Sequence, residues 1–236
     1  MSIATPSSQP RTRIQATLSR VTEEDLLGVA EGQLLAFGER LYGEVEPPSI
    51  RAPVDNRCRR FARRFLPLVN RKDVLIMKAT VSDISERTGR PVIAALAFWH
   101  LPGAPIDNCQ KRDEAKMDQE SGEEKEAYVG YDWRAWNKML EDYDVVRRQI
   151  MGEKPHWYLG PLWTHPDYQG QGLAGQLVRH AIALADADNP PRAMYLEASP
   201  AGAPVYARYG FERVEGTKTV MLRKAIWEEE LKGAGR

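Results

Sequence analysis

The residues best suited to chemistry lie between a predicted strand and a predicted helix, where residues 169–175 form a glycine-rich bend. Gly170, Gly172 and Gly175 lie in this bend, and an apolar helical stripe begins at Leu173. Glycine lets the backbone approach a ligand closely and adopt positive φ. The first N–H groups of a helix have no partner inside it and lie at the positive end of its dipole. A diphosphate can accept hydrogen bonds from these groups, so the absence of basic side chains in the bend is no obstacle.

The same glycines also satisfy the G-x-G-x-x-G pattern of dinucleotide-binding folds. In that alternative Glu197, 22 residues after Gly175, would bind the ribose. Three features disfavour it: the apolar strand ends well before Gly170, only 39 residues follow Glu197, and the upstream chain does not alternate strands and helices. Dinucleotide binding and a glycine-rich turn without a ligand remain the alternatives.

Other common catalytic constellations are missing from the sequence. Cys58, Cys109 and the four histidines show no spacing typical of metal ligands. Gly-x-Ser-x-Gly, the usual setting of a serine nucleophile, is absent as well. We therefore expect no metal and no serine-based nucleophile.

The hydrophobic pattern predicts the elements that must position the bend. Ile14, Ala16 and Leu18 alternate with polar residues, which is typical of a half-buried strand. Thr22 is suited to begin a helix. In chain order we predict a strand at 13–19, a helix from 22, a helix at 57–69, strands at 73–81 and 91–101, a helix at 131–150, a strand at 157–163, a helix at 173–187, a strand at 194–198, a short helix at 203–209 and a hairpin at 211–214 and 219–223. This order predicts a mixed α/β domain with a parallel crossover at 157–198.

One segment, at about 103–127, has a different composition. Residues 107–126 contain eight acids, four bases and almost no large apolar residue, which predicts a solvated and mobile insertion. The arginines of 59–64 should form a solvated helix face, with an acidic partner as the alternative. The aromatic residues Tyr131, Trp133, Trp136 and Tyr143 should be core or pocket wall.

Composition excludes several classes of protein. The 236 residues carry 33 basic and 33 acidic side chains, so a general nucleic-acid or anionic-membrane binder is not expected. No apolar run approaches the roughly 20 residues of a membrane span. Two cysteines fit a reducing compartment, and we expect a cytoplasmic location. Residues 1–10 and 225–236 read as tails, and the arginines within 1–22 only faintly resemble a transit peptide.

The bend and its surroundings resemble the GNAT superfamily of acetyl-CoA-dependent N-acetyltransferases. The family signature R/Q-x-x-G-x-G/A reads Gln169-Gly170-Gln171-Gly172-Leu173-Ala174 here, and it follows a typical His165-Pro166-Asp167-Tyr168 flank. A second family feature, Tyr-x-x-x-Gly-Phe, is present as 206–211, and the 196–200 segment is similar to fungal members that act on small molecules. The motifs cover about residues 156–224, and the order of elements extends the resemblance more weakly to residue 13.

The resemblance implies a mixed, mostly antiparallel sheet with one splayed parallel strand pair, flanked by helices. It also implies a cofactor-binding segment that begins at Gln169 and Gly170. Within this segment, the CoA diphosphate would be held by the backbone N–H groups of Gln171, Gly172, Leu173, Ala174 and Gly175. The pantetheine arm would pair with the backbone near Leu162 and Thr164. No metal is implied.

The implied reaction is attack of an amine on a thioester. The resemblance makes Tyr206 the general acid that protonates the departing thiolate, and a backbone N–H such as that of Trp163 would bind the oxyanion. Ungapped alignment puts Tyr158 and Gly160 where some relatives carry a base, and neither is suitable. His156 and Glu197 are the candidates, with bulk water as the alternative.

We therefore expect one acetyltransferase domain at 11–224 that acts on a primary amine of a small molecule by direct transfer. Apart from that amine we expect no binding partner, and in particular no nucleic acid and no membrane. We expect the chain to be a monomer or a homodimer. A CoA-binding sensor without catalysis is the alternative from another functional class.

Overall fold

A seven-stranded sheet organises the chain in the computed structural model, which describes residues 14–85 and 88–225. The strand order is β1-β2-β3-β4-β5-β7-β6. The elements are β1 (Thr17–Arg20), α1 (Leu26–Val45), α2 (Val54–Val69), β2 (Val74–Ile84), β3 (Pro91–His100), α3 (Gly122–Glu126), α4 (Trp133–Met151), β4 (Trp157–Thr164), α5 (Leu173–Ala187), β5 (Met194–Glu197), α6 (Ala203–Ala207), β6 (Glu212–Arg213) and β7 (Val220–Arg223). The tail predicted at 1–10 and residues 226–236 of the other tail lie outside the described residues.

The predicted order of elements is confirmed. Every neighbouring strand pair is antiparallel except β4 with β5, which is parallel as the crossover prediction required. The first strand is shorter than predicted: Leu18 lies within it, and Ile14 and Ala16 precede it, although all three side chains are half-buried as the alternation indicated. The fold is therefore the mixed α/β sheet with one parallel pair that the sequence analysis expected.

The sheet has two covered faces. Helix α5 packs its apolar stripe on one face, against residues such as Trp99, Leu159 and Leu196. Helices α1, α2 and α4 cover the other face, where Phe98, Trp163 and Tyr158 are buried. Because side chains alternate along a strand, each strand of the central sheet contributes to both cores.

The charged insertion differs from its prediction, because the structure folds it onto the helices beside it. It contains a short 3₁₀ turn at Glu114–Gln119 and then α3. Glu126 accepts hydrogen bonds from Arg60 Nε at 2.8 Å and from Arg63 Nη1 at 3.1 Å, and Arg64 donates to the Ala127 carbonyl. The arginines of α2 were predicted to form a solvated face. Part of this face is instead the surface on which the insertion packs, because the arginines pair with acidic and carbonyl groups of the insertion.

A close approach between α1 and β4 helps to position the central strand. A Cβ atom on Gly32 would lie 2.2 Å from Cη2 of the buried Trp163 indole. We expect Gly32→Ala to lower the free energy of unfolding by about 1–3 kcal/mol, because the rigid indole cannot yield without repacking.

The matched control is Gly43→Ala on the same helix, where the nearest atom to the new Cβ is a glutamate oxygen at 3.6 Å. That variant should gain up to about 1 kcal/mol from helix propensity. Urea unfolding of both variants measures the difference, and equal stabilities would contradict the packing argument.

None of the helices in the described part of the chain is long and apolar enough to cross a bilayer.

Candidate active site

The two parallel strands of the sheet separate where the bend begins. Strand β4 pairs with β5 at only three positions, Trp157 with Met194, Tyr158 with Tyr195 and Leu159 with Leu196. Beyond Leu159, β4 continues to Thr164 and remains paired with β3 on its other edge. The β5-facing edge of residues 160–164 is therefore open, as the predicted splayed pair required.

A bulge in β4 decides which backbone groups face this opening. Between Leu159 and Leu162 the register against β3 shifts by one residue, at Gly160 and Pro161. Proline has no N–H to contribute to a ladder, so a bulge is one of the few strand positions that accept it. A bulge also re-aims the residues that follow it.

The register after the bulge turns Leu162 and Thr164 towards the opening. The N–H of His165 donates to Ala94 O on β3 at 2.8 Å, and antiparallel hydrogen bonding alternates along a strand. Trp163 therefore points its N–H at β3. This corrects the prediction of Trp163 as oxyanion donor, because its N–H is directed away from the opening, which the N–H groups of Leu162 and Thr164 face.

The glycine-rich bend has the geometry expected of an anion-binding site. Gly170 and Gly172 have φ of 75° and 83°, and Gly172 is the N-cap of α5. A Cβ atom on Gly172 would meet nothing within 4 Å, so the left-handed backbone, rather than crowding by the protein, requires glycine there. Among the described residues no protein acceptor reaches the N–H groups of Leu173, Ala174 or Gly175. These amides are therefore left for a ligand.

Side chains of the motif hold the bend in place. Gln169 Nε2 donates to Thr164 O at 3.3 Å, and Gln171 Nε2 donates to Asp167 O at 3.4 Å. His165 Nδ1 accepts from the Asp167 N–H at 3.3 Å, which agrees with a role in the turn. Gly175 has a packing reason as well, because a Cβ there would lie 2.2 Å from the Tyr209 hydroxyl oxygen.

Glu197 lies at the fork between the strands. It follows Leu196, the last residue of β5 that pairs with β4, and it is on the same face as Tyr195. The hydroxyls of Tyr158 and Tyr195 are near enough to its carboxylate to lower its pKa. Even so, Glu197 Oε1 and the Tyr195 hydroxyl are buried without a partner of good hydrogen-bond geometry among the described residues. A carboxylate oxygen at the fork is thus free to accept a proton.

Burial raises the pKa of Glu197 to about 7, against the smaller lowering effects of Tyr195, Tyr158 and the Arg147 charge. A carboxyl with this pKa is close to half-ionised at neutral pH, which suits a general base. Arg147 lies over the Tyr158 ring, 3.8 Å from its centroid, so the same tyrosine links a buried cation to the carboxylate.

Tyr206 lies on the opposite face of the sheet. It is buried on α6 and packs edge-on against Phe211, with ring centroids 5.9 Å apart. It belongs to the same core cluster as Leu173, the first residue of α5. Burial raises the pKa of the phenol above its ordinary value. The hydroxyl therefore stays protonated at neutral pH and can donate.

His156 lies away from the fork. It precedes β4, at the end of the strand remote from the bend, and its Nδ1 is 2.7 Å from Lys154 O. Burial lowers its pKa, with the Arg147 charge as a smaller cause. Of the two candidate bases, the structure therefore brings Glu197 to the opening and leaves His156 beside a separate cavity.

An acidic cluster on α4 and the insertion resembles a metal site only in spacing. One oxygen each of Asp107, Glu141 and Asp144 lies within 4.8 Å of the others. Lys111 Nζ is 3.7, 2.6 and 3.0 Å from these three carboxylates, and Arg147 and Arg148 each pair with one of them at 3.2 Å, so three cations compensate the three negative charges.

Sequence reasoning missed the residues that surround Glu197. Tyr158 and Tyr195 look like ordinary strand residues, and only the parallel register places them side by side. Tyr143 on α4 is within electrostatic reach of Glu197, and Arg40 and Glu44 on α1 are within electrostatic reach of Tyr143. The face of the sheet that carries Glu197 is therefore bordered by α4 and α1.

Comparisons with known proteins concern the family and the fold. Residues 145–221 match the family model described as the acetyltransferase (GNAT) domain. No curated protein sequence matches the chain.

Three solved structures illustrate the structural likeness. A Corynebacterium glutamicum protein described as histone acetyltransferase HPA2 and related acetyltransferase is 20% identical, with a TM-score of 0.53 over 90% of this chain and 97% of that one. The PaiA N-acetyltransferase of Thermoplasma acidophilum, solved with coenzyme A, is 12% identical, with a TM-score of 0.50 over 89% and 99%. A mosquito arylalkylamine N-acetyltransferase-like protein, 5b, is 14% identical, with a TM-score of 0.50 over 88% and 98%. At these identities the likeness establishes the fold.

Proposed function

We propose, from the premise that this chain is a GNAT acetyltransferase with acetyl-CoA as its co-substrate, that it acetylates a primary amine of a small molecule. The transfer is direct, within a complex that holds both substrates. The observation that carries the proposal is the position of Glu197, a carboxyl with a pKa of about 7 at the fork between β4 and β5.

The backbone around the opening supports binding of acetyl-CoA. The free amides at the start of α5 suit the diphosphate. The open edge of β4 at Leu162 and Thr164 suits the amide groups of the pantetheine arm, although the Thr164 carbonyl already accepts from Gln169. With the arm along this edge, the Leu162 N–H is available to the thioester carbonyl, where negative charge develops in the transition state.

Deprotonation of the amine is the step that needs a base. An alkylamine with a pKa near 10.4 is only about one-thousandth neutral at physiological pH, which adds roughly 4 kcal/mol to the barrier. Glu197 accepts this proton, directly or through one water molecule. Tyr158 and Tyr195 position its carboxylate.

The two proton-transfer groups lie on opposite faces of the sheet. Glu197 faces α4, whereas Tyr206 packs in the cluster that contains α5. A thioester held between the strands therefore has the amine on one side and the phenol on the other. Tyr206 protonates the departing thiolate while Glu197 deprotonates the attacking amine.

The packing of the insertion favours a small acceptor over a basic peptide. Glu126 is paired with Arg60 and Arg63, and Glu120 with Arg112. These acids are already compensated, so they do not form an open acidic surface for a lysine-rich tail.

The direct test is release of free CoA thiol from acetyl-CoA in the presence of small aliphatic and aromatic amines, with lysine-rich peptides as the comparison. We expect amine-dependent thiol release and an acetylated product, detected by mass spectrometry. Saturable binding of CoA without turnover of any amine would favour the sensor alternative and contradict the proposal.

Tyr206→Phe should lower kcat by about 10²–10⁴-fold with little change in acetyl-CoA affinity, because it removes the proton donor and keeps the ring. The control is Tyr209→Phe in the turn after α6, whose hydroxyl accepts from Arg179 at 3.1 Å. Steady-state kinetics and binding titrations measure both effects. An unchanged kcat for Tyr206→Phe would remove this residue from the mechanism.

A further inference from the structure

A second cavity lies at the end of β4 remote from the glycine-rich bend. Its volume is about 240 Å³, and it is bounded by the end of β3, the C-terminal end of α4 and residues 103–106 of the insertion. Its buried polar lining consists of His100, Arg147, His156 and Tyr158, each at most 9% exposed, and the exposed Glu153 and Lys154, of opposite charge, also line it. Tyr158 is the only lining residue that the proposed acetyl transfer uses.

Two hydrogen-bond donors at this cavity are buried without an acceptor. Arg147 Nε has no partner among the described residues. The guanidinium is nevertheless fixed, because Nη2 donates to Asp144 Oδ1 at 3.2 Å and to the Ile106 carbonyl while its plane lies over Tyr158. The guanidinium therefore cannot rotate to bring its Nε–H group to an acceptor of the protein.

His100 provides the second donor. Its Nδ1 is 4.0 Å from Cys109 Sγ, and burial raises the pKa of that thiol to about 11, so the thiol keeps its proton and can donate it to Nδ1. Burial lowers the pKa of His100 to about 3, so the ring is neutral, and with Nδ1 accepting from the thiol its single proton lies on Nε2. That nitrogen is buried and has no partner among the described residues.

The lining also offers one acceptor. Because His156 Nδ1 donates to the Lys154 carbonyl at 2.7 Å, its Nε2 keeps a lone pair. A ligand in this cavity must therefore accept two hydrogen bonds, from Arg147 and His100, and has room for one donor group near His156.

The charges favour an anion as that ligand. Asp144 is the carboxylate bound to Arg147, and it also accepts from Lys111 Nζ at 3.0 Å and from the Asn108 N–H at 2.8 Å. Its charge is thus divided between two cations. A metal ion would be repelled by the guanidinium, whereas hydrogen bonds between a guanidinium and a carboxylate are charge-assisted and strong.

We propose that this cavity is a binding site for a small carboxylate, held by Arg147 Nε and His100 Nε2 and separate from the acetyl-transfer site. The Tyr158 ring lies between the two sites, since it packs on Arg147 while its hydroxyl is near Glu197. A bound carboxylate therefore contacts the tyrosine that positions the base.

The test is calorimetric titration of the full chain with sodium acetate and sodium malonate, at an ionic strength held constant with sodium chloride. We expect saturable binding that saturating CoA does not abolish. His100→Phe should weaken it by about 10-fold or more, because a hydrogen bond to a charged group is lost. The matched control, His180→Phe on α5, lies on the other face of the sheet and should bind as the wild type does.

Two further measurements keep the proposal falsifiable if His100→Phe does not fold. Ala104→Leu fills the cavity from its half-exposed rim and should also abolish binding. A crystal structure in acetate should place the carboxylate on Arg147 and His100. Binding that both variants retain, no saturable binding of either probe, or water alone in the cavity would overturn the proposal, whether or not the chain acetylates amines.

Discussion

Replacing Glu197 with glutamine should lower kcat/KM for the amine by about 10²–10⁴-fold, while acetyl-CoA affinity stays unchanged. Glutamine has the same shape as glutamate and leaves Tyr158 and Tyr195 beside it, but its amide group cannot accept the proton. The matched control is Glu212→Gln on β6, an exposed acid away from the fork, which should behave like the wild type.

The pH profile distinguishes a base from a merely structural acid. A general base works when it is deprotonated, so wild-type kcat/KM should rise with pH through about 7, the pKa to which burial raises Glu197. Glu197→Gln should lose this limb. A glutamine variant with the same limb and a similar rate would show that another group, or bulk water, takes the proton.

Stability measurements show whether lost activity reflects unfolding. Burial raises the folded-state pKa of Glu197 from an ordinary 4.5 to about 7. Its contribution to stability is therefore present below about pH 4.5 and is lost as the pH rises through 7, where a charged carboxylate must stay buried. The glutamine variant carries no such charge, so its Tm should match or exceed that of the wild type at about pH 8, with the advantage fading towards acid.

Gly172→Asp should weaken acetyl-CoA binding by about 100-fold or more, the second large effect that we expect. The carboxylate would stand beside the free amides at the start of α5 and repel a diphosphate that takes them. The new side chain also strains a backbone with φ of 83°. Calorimetric titration with acetyl-CoA measures the loss.

The control for backbone strain is Gly89→Asp, in the turn between β2 and β3. Gly89 has φ of 63°, and a Cβ there would also meet nothing within 4 Å. Both variants should lose some stability, but only the change at Gly172 should affect the ligand. Retained affinity in Gly172→Asp, or an equal loss in Gly89→Asp, would contradict the assignment of the bend.

Local pattern was sufficient for the elements and for the geometry of the glycine-rich bend. Helix α5 was predicted with the bounds that the structure has, because Leu173, Leu177 and Ala181 recur at helical spacing after a glycine N-cap. The turn before it was also predictable from the sequence, since the His165 side chain accepts a hydrogen bond from the Asp167 N–H two residues along the chain. Such features depend on neighbours in sequence, so a single chain contains the information.

Long-range contacts decided the rest. The insertion looked solvated because its charges have no partners nearby in sequence, yet Glu126 meets Arg60 on α2, 66 residues away. The N–H of Trp163, predicted as an oxyanion donor, is directed away from the opening because a one-residue bulge at Gly160 and Pro161 reverses which N–H groups face it.

The sequence by itself thus determined the GNAT signature, the order of elements and the two candidate bases. Only the tertiary structure separated Glu197 from His156. A carboxyl acquires a pKa of about 7 through burial, and burial at this fork arises where β5 leaves β4 and Tyr158 and Tyr195 close around it. No spacing along the chain encodes that environment, because its parts come from two strands joined by a helix.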